Sequence, residues 1–257
     1  MDLTERIISR VVRRREGIMI RVALFTFLIL CGCGKDIEGR GNAVYKNNAG
    51  MFYADGDPTK KCVALTFDDG PNPAVSARIL DILRTKKVPA SFFILGVNAR
   101  AYPQYVKMYI DNGHEVGNHT YSHKNFYRLK KIKKPVELEK IILKELIESD
   151  NIISGIISRK PVFIRMPNGF ISPEVEKVAT ENGYTVVNWS FGCDWKSMTK
   201  ENLVKNYITH IKPGAILLFH EKRLTATALP EIIDGIRNKG YDIVPLRQIL
   251  PAERQPR

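Results

Sequence analysis

The chain has 257 residues, 44% of them apolar and 26% charged, with a formal net charge of +13. That length holds one good-sized α/β domain plus a short extension, and neither an internal repeat nor a long low-complexity stretch is present. So basic a surface favours anionic partners such as membrane lipid or an anionic polymer, while the absence of any helix-turn-helix, zinc-finger or RNA-recognition motif argues against nucleic acid.

Residues 1–32 carry six Arg against three acidic residues. From Met19 the chain reads Met-Ile-Arg, then an apolar run from Val22 to Leu30, then Cys31-Gly32-Cys33-Gly34. One positive charge, a short apolar stretch and small residues describe a secretory signal. Leu30-Cys31-Gly32-Cys33 resembles a bacterial lipobox, whose last cysteine becomes the lipidated N-terminus. Residues 1–33 are therefore expected to be an export signal of lipoprotein type, with Cys33 lipidated and the catalytic part held at the membrane in the cell envelope. The alternative is an uncleaved signal anchor. Residues 1–18 do not fit a normal signal. Arg13-Arg14-Arg15-Glu16-Gly17 is what a purine-rich ribosome-binding site would spell if translated, which makes Met19 the expected start.

Residues 34–59, polar and rich in Gly and Asn, read as a tether. The catalytic domain is expected over 60–250, with 251–257 as a tail. Apolar, β-prone runs recur at Cys62–Phe67, Ala90–Leu95, His114–Gly117, Val162–Arg165, Thr185–Trp189, Ala215–Phe219 and Asp242–Pro245. Helical patterns separate them. Val75, Ile79, Ile82 and Leu83 share one helical face, and another helix spans about Val136–Ile157. Ser172-Pro173-Glu174 is a helix start, with a cap, a proline at the first position and an acid in the first turn, and Gly183 ends that helix. A last helix covers Ala228–Asn238. Seven strands alternating with helices predict a parallel sheet closed as a distorted (β/α)7 barrel of TIM-barrel type. In that geometry Cys62 and Cys193 lie at opposite ends of the sheet, roughly 20 Å apart at ~3.3 Å per residue, beyond the reach of a disulfide.

Such barrels do chemistry at the C-terminal ends of their strands, and the unusual polar residues fall there. Asp68 and Asp69 end the first run, His119 and His123 follow the third, Arg165 ends the fourth, Asp194 follows the fifth and His220 ends the sixth. Four residues apart, His119 and His123 would share one face of a helical turn and grip one ion. Two His and one carboxylate form a catalytic zinc set with a position left open for water, and either Asp68 or Asp69 supplies the carboxylate. The other remains free as a general base. An Arg beside that base holds it ionised and oriented. An Asp bonded to a His fixes its tautomer and raises its pKa. Together these groups describe a hydrolase with a metal site, a base and an acid.

These residues resemble the polysaccharide deacetylases, the NodB-homology group or carbohydrate esterase family four, over about residues 60–250. The motifs stand in order: Thr66-Phe67-Asp68-Asp69-Gly70; His119 to His123 preceded by Gly113-His114-Glu115-Val116-Gly117-Asn118; Arg165-Met166-Pro167-Asn168-Gly169; Asp194-Trp195; and Leu217-Leu218-Phe219-His220. The resemblance implies that Asp69, His119 and His123 hold one divalent metal ion, for which zinc suits the donor set best. It makes Asp68 the base held by Arg165, and His220 the acid held by Asp194. Trp195 and Leu217 would shape the pocket for the acetyl methyl, and the backbone N–H at Asn168 would help stabilise the oxyanion. The implied substrate is a glycan containing N-acetylglucosamine, peptidoglycan foremost, with chitooligosaccharide or poly-N-acetylglucosamine as alternatives.

Two positions depart from the pattern. Asn168 stands where the family usually has an aromatic residue, and Lys124 where a proline commonly follows the second histidine. The basic stretch Lys124, Arg128, Lys130, Lys131, Lys133 and Lys134 reads as a solvated loop that would also attract an anionic glycan. A catalytically inactive carbohydrate-binding envelope protein is the rival reading, and retention of every catalytic position speaks against it. A third is a hydrolase of small amides or O-acetyl esters.

Overall fold

The computed structural model describes residues 51–251. The expected export signal at 1–33, most of the tether and residues 252–257 lie outside them. The strands are β1 (Phe52–Tyr53), β2 (Cys62–Asp68), β3 (Ser91–Ile94), β4 (Glu115–Asn118), β5 (Phe163–Ile164), β6 (Thr185–Val187), β7 (Ala215–His220) and β8 (Asp242–Ile243). The helices are α1 (Ser76–Lys86), α2 (Gly96–Ala101), α3 (Pro103–Asp111), α4 (Phe126–Ile132), α5 (Pro135–Ile157), α6 (Pro173–Asn182), α7 (Lys200–Thr209), α8 (Arg223–Asn238) and α9 (Leu246–Ile249). All seven expected strands are present. The helix expected from Ala228 begins earlier, at Arg223, and carries Pro230 inside it.

The sheet runs β1-β6-β5-β4-β3-β2-β7, and its strand pairings are parallel. Val63 pairs with both Ala215 of β7 and Ile243 of β8, so β8 lies on the β3 side of β2. The outer edge of β7 is met by the chain just past β6. Ser190 N donates to Ile216 O at 2.9 Å and Leu218 N donates to Phe191 O at 2.8 Å. This closes the ring into a distorted (β/α)7 barrel. The end of the expected tether is built into it. Val186 N donates to Met51 O, Asn188 N donates to Tyr53 O, and Gly56 N donates to Gly214 O.

Strand alternation sorts the side chains. Along β2, Val63, Leu65 and Phe67 pack in the large core with Ile79 and Leu83 of α1 and Ile232 and Ile233 of α8. Cys62 and Ala64 instead face the barrel interior, packed with Phe93, Val187, Ile216 and the α9 residues Leu246 and Ile249. The same parity carries Thr66 and Asp68 inward at the far end of the strand. Because α9 and the Gly214 turn occupy the N-terminal end, the polar interior is confined to the C-terminal end. Cys62 and Cys193 are both buried.

A buried carboxylate ties the strand ends together. Glu221, next after β7, accepts from Tyr109 Oη of α3 at 2.6 Å, from the Asn72 backbone N–H at 3.0 Å and from Ser76 Oγ of α1. Burial pushes its carboxyl pKa up. Gly70 packs so closely on this carboxylate that a Cβ there would collide with it. Glu221 thus fixes the turn after Asp69 against the end of β7. Glu221→Ala removes three hydrogen bonds and leaves Tyr109 Oη, Ser76 Oγ and Asn72 N only the bonds they make with one another, a loss of roughly 1–3 kcal/mol. Thermal unfolding is expected to show a clear drop in Tm, smaller for Glu221→Gln.

His114, just before β4, is also buried. Its Nδ1 accepts from Ala90 N at 3.2 Å, and its Nε2 has no protein partner. Burial lowers its pKa from 6.5 to about 4. The unfolded chain therefore takes up this proton first as pH falls. Stability is full above about 6.5 and declines toward pH 4, by an amount on the order of 3 kcal/mol. Urea unfolding at pH 7 and pH 4.5 should show a smaller pH-dependent loss in His114→Gln than in wild type, and equal losses would refute the assignment.

Candidate active site

β2 ends in two acids whose side chains go different ways. Asp68 follows strand parity into the barrel and pairs in register with His220 of β7. Asp69 has a left-handed backbone (φ 69°), which breaks the alternation and keeps its carboxylate at the same mouth. Asn98 Nδ2 donates to its carbonyl at 2.7 Å and holds that turn. Asp69 Oδ1 then lies 3.5 Å from His119 Nε2 and 3.6 Å from His123 Nε2. One ligand atom from each of Asp69, His119 and His123 lies within 4.8 Å of the other two.

The chemistry of these three groups suits a cation. Asp69 Oδ1 is buried with no hydrogen-bond donor, a costly state for an anionic oxygen unless a positive charge meets it. The Nδ1 of His119 lies 2.7 Å from the carbonyl of Arg165. A carbonyl only accepts, so Nδ1 carries the proton and the Nε2 lone pair faces Asp69, the arrangement typical of a ligating histidine. Burial lowers the His119 pKa and keeps the ring neutral. His119 and His123 do not sit on a helical turn as the spacing suggests. They bracket a loop in which Thr120 (φ 70°) and His123 (φ 55°) are left-handed. Two reversals of the backbone bring the imidazoles to 5.2 Å between centroids.

Arg165, fully buried at the end of β5, donates to Asp68 Oδ1 at 2.7 Å. It also donates to Thr66 Oγ1, Val187 O and Asn188 O. Its guanidinium carbon stands 4.1 Å above the Phe93 ring. Four of the five guanidinium N–H protons are thereby used, and Asp68 Oδ2 is left toward the site, 3.7 Å from His119 Nε2. Across the mouth, His220 Nδ1 bonds Asp194 Oδ1 at 2.7 Å. Asp194 Oδ2 accepts from the His220 backbone N–H and from Thr225 Oγ1. Burial works against the charged imidazole, but the hydrogen bond and charge of Asp194, with Asp68 and Asp69 beyond, outweigh it and raise the His220 pKa. Its Nε2 faces Asp69 Oδ2 at 4.0 Å.

Asn168 is exposed on a short 3-10 turn, Pro167–Gly169, with φ 58°, a conformation Asn tolerates better than most residues. Among the described residues nothing accepts from its backbone N–H. Trp195 is 46% exposed and meets His220 edge-on at 5.8 Å. Leu217 does not shape the pocket. It packs with Leu65 and Phe219 in the helix-side core, because residues of odd number on β7 face outward. Leu218 has the parity of His220 and, with Trp195, crowds Gly192. Leu218 is the leucine on the site side.

The supports of the loops were not singled out from sequence. Glu145 of α5 accepts from Ser122 N and Oγ and pins the His119–His123 loop to that helix. Asn118 Oδ1 accepts from Thr120 N. Their signal was present: Glu145 and Asp150 interrupt the apolar face formed by Leu138, Ile142, Leu146 and Ile153. Of the six non-glycine residues with positive φ among the described residues, Lys87 and Ser158 close helices, while Asp69, Thr120, His123 and Asn168 all belong to this site. Backbone strain concentrated in one place marks it as functional.

Residues 55–187 match the polysaccharide deacetylase family. A peptidoglycan-N-acetylglucosamine deacetylase of Bacillus cereus is 34% identical over 210 residues, spanning 79% of this chain and 74% of the relative. A solved peptidoglycan N-acetylglucosamine deacetylase, 34% identical, superposes with a TM-score of 0.71 over 78% of this chain and 92% of its own. A family-four pseudoenzyme from Bacillus anthracis, 29% identical, gives a TM-score of 0.71 over 79% and 70%. Sequence and backbone agree over the same barrel, and the chain belongs to the polysaccharide deacetylase family, carbohydrate esterase family four.

Proposed function

We propose that this protein is a metal-dependent deacetylase that hydrolyses the acetamide of N-acetylglucosamine residues in a glycan, with peptidoglycan as its substrate. The observation that carries the reading is one mouth holding three assemblies at once. They are the unpartnered Asp69 Oδ1 between two histidine Nε2 atoms, the carboxylate of Asp68 clamped by Arg165, and the imidazole of His220 held by Asp194.

Asp69, His119 and His123 would hold one divalent ion, and zinc suits this donor set. When bound, the ion supplies Lewis-acid polarisation of the acetamide carbonyl and of water. The chain's own groups do the proton chemistry. Asp68 Oδ2 takes a proton from the attacking water, since Arg165 occupies Oδ1. The Asn168 backbone N–H donates to the oxyanion, a role a side-chain change leaves intact. His220, its Nδ1 proton held by Asp194, gives the Nε2 proton to the departing sugar amine as the carbon–nitrogen bond breaks. Trp195 and Leu218 border the space for the acetyl methyl. The raised His220 pKa suits an acid working near neutrality. The lipobox-like Cys33 and the basic charge support an exported enzyme held at the membrane in the cell envelope, where such a glycan is met.

The metal-loaded protein should release acetate from N-acetylglucosamine oligomers and from peptidoglycan, and a chelator should abolish the release. No acetate from any substrate would favour the inactive, carbohydrate-binding reading; the Bacillus anthracis relative is a pseudoenzyme of the same family. Faster release from small amides or O-acetyl esters would favour the third. Asp68→Asn should lower kcat by roughly 10²–10⁴ while elemental analysis finds the metal retained. Loss of metal from that variant would mean that the two aspartates have exchanged roles.

A further inference from the structure

The family resemblance leads one to expect an aromatic ring at position 168, and this chain has Asn there. A ring is present at the same rim from another element. Tyr127 of α4 is 50% exposed and meets buried Phe170, two residues past Asn168, edge-on at 5.0 Å. Helix α4 begins just after His123. Asn125 caps it by accepting from Arg128 N, and Phe126 anchors it in the core. Tyr127 is therefore held against Phe170, four residues after His123 in the chain, with half its surface open.

The charge around it is one-sided. Residues 124–134 contain six Lys or Arg and no acid. Lys124, Lys130 and Lys133 are matched by Glu145, Glu174 and Glu137. Arg128, Lys131 and Lys134 are exposed and have no carboxylate partner among the described residues. Lys131 lies four residues after Tyr127, so both share one face of α4. An aromatic plane beside unmatched cations recognises a sugar ring that carries, or adjoins, an anionic group.

We propose that Tyr127, Arg128 and Lys131 form a glycan-binding surface continuous with the active site and specific for an acidic N-acetylated strand. The inference rests on the deacetylase reading and deepens it. Tyr127 stacks a further sugar of the strand, one that a disaccharide presents in only one of its two binding registers, in place of a ring at position 168. Arg128 and Lys131 meet carboxylates borne by the same strand. This selects carboxylate-bearing peptidoglycan strands over neutral oligomers.

The test compares a neutral N-acetylglucosamine pentamer, the disaccharide and soluble peptidoglycan strands bearing free carboxylates. The metal-loaded proteins are wild type, Tyr127→Ala, Tyr127→Phe and Arg128→Gln/Lys131→Gln. Tyr127→Ala should raise KM for the pentamer about tenfold, the scale of one good aromatic contact, with a smaller rise for the disaccharide and recovery in Tyr127→Phe. The double variant should raise KM more for the acidic strand than for the pentamer, and that excess should vanish at high salt. Equal effects of Tyr127→Ala at both lengths, or of the double variant on both charges, would overturn the proposal. If wild type releases no acetate, the deacetylase reading falls separately. The surface is then judged by calorimetric Kd values of the same proteins for the same glycans, which must show the same length and charge dependence.

Discussion

Taking a guanidinium out of water costs several kcal/mol even after the protein relaxes, and Arg165 is fully buried. The cost is offset only if the charge is paired and its protons are used, and here both hold. Arg165 reaches from β5 to Asp68 and Thr66 on β2 and to the carbonyls of Val187 and Asn188 at the end of β6. Its own carbonyl fixes the His119 tautomer. One residue thus orients Asp68 with its side chain and the His119 imidazole with its backbone. A pair of this kind is strongly destabilised by losing one member, so the strand ends cannot drift independently of the chemistry.

On the other side of the mouth the same logic is repeated with weaker parts. Asp194 chelates His220 through both the ring and the backbone N–H, and Thr225 completes its lone pairs. Glu221, one residue on, locks the end of β7 to the turn that carries Asp69. Asp68, His220 and Asp69 are therefore referenced to one another across the β2–β7 pairing, the register Asp68↔His220. Such support from neighbouring groups is what holds catalytic geometry to tolerance.

Strands β2–β8 were legible because each is a short apolar run bounded by turn residues, and the strand-end position of the polar residues followed from that alone; β1, two residues inside the expected tether, was not. The short helices α2, α3 and α4 were not legible either, because six to nine residues give too little periodicity to separate helix from loop. The spacing of His119 and His123 pointed to a helical turn for the right outcome and the wrong reason. A four-residue interval can bring two side chains together by helix or by a loop with left-handed residues, and only the fixed ends of that loop choose between them. Leu217 was misplaced by one residue because a continuous apolar strand shows no parity until its neighbours are known.

By itself the sequence determined the parallel barrel, the end of it that does chemistry, and the identities of seven polar residues there, since these depend on local patterning and order along the chain. Tertiary structure decided which aspartate meets the histidines, which leucine faces the site, and that Tyr127 packs on Phe170, two residues past Asn168. Those outcomes depend on backbone reversals at Asp69, Thr120, His123 and Asn168, and on contacts between residues distant in the chain. No local pattern encodes such contacts, because the packing that sustains a strained φ comes from other elements.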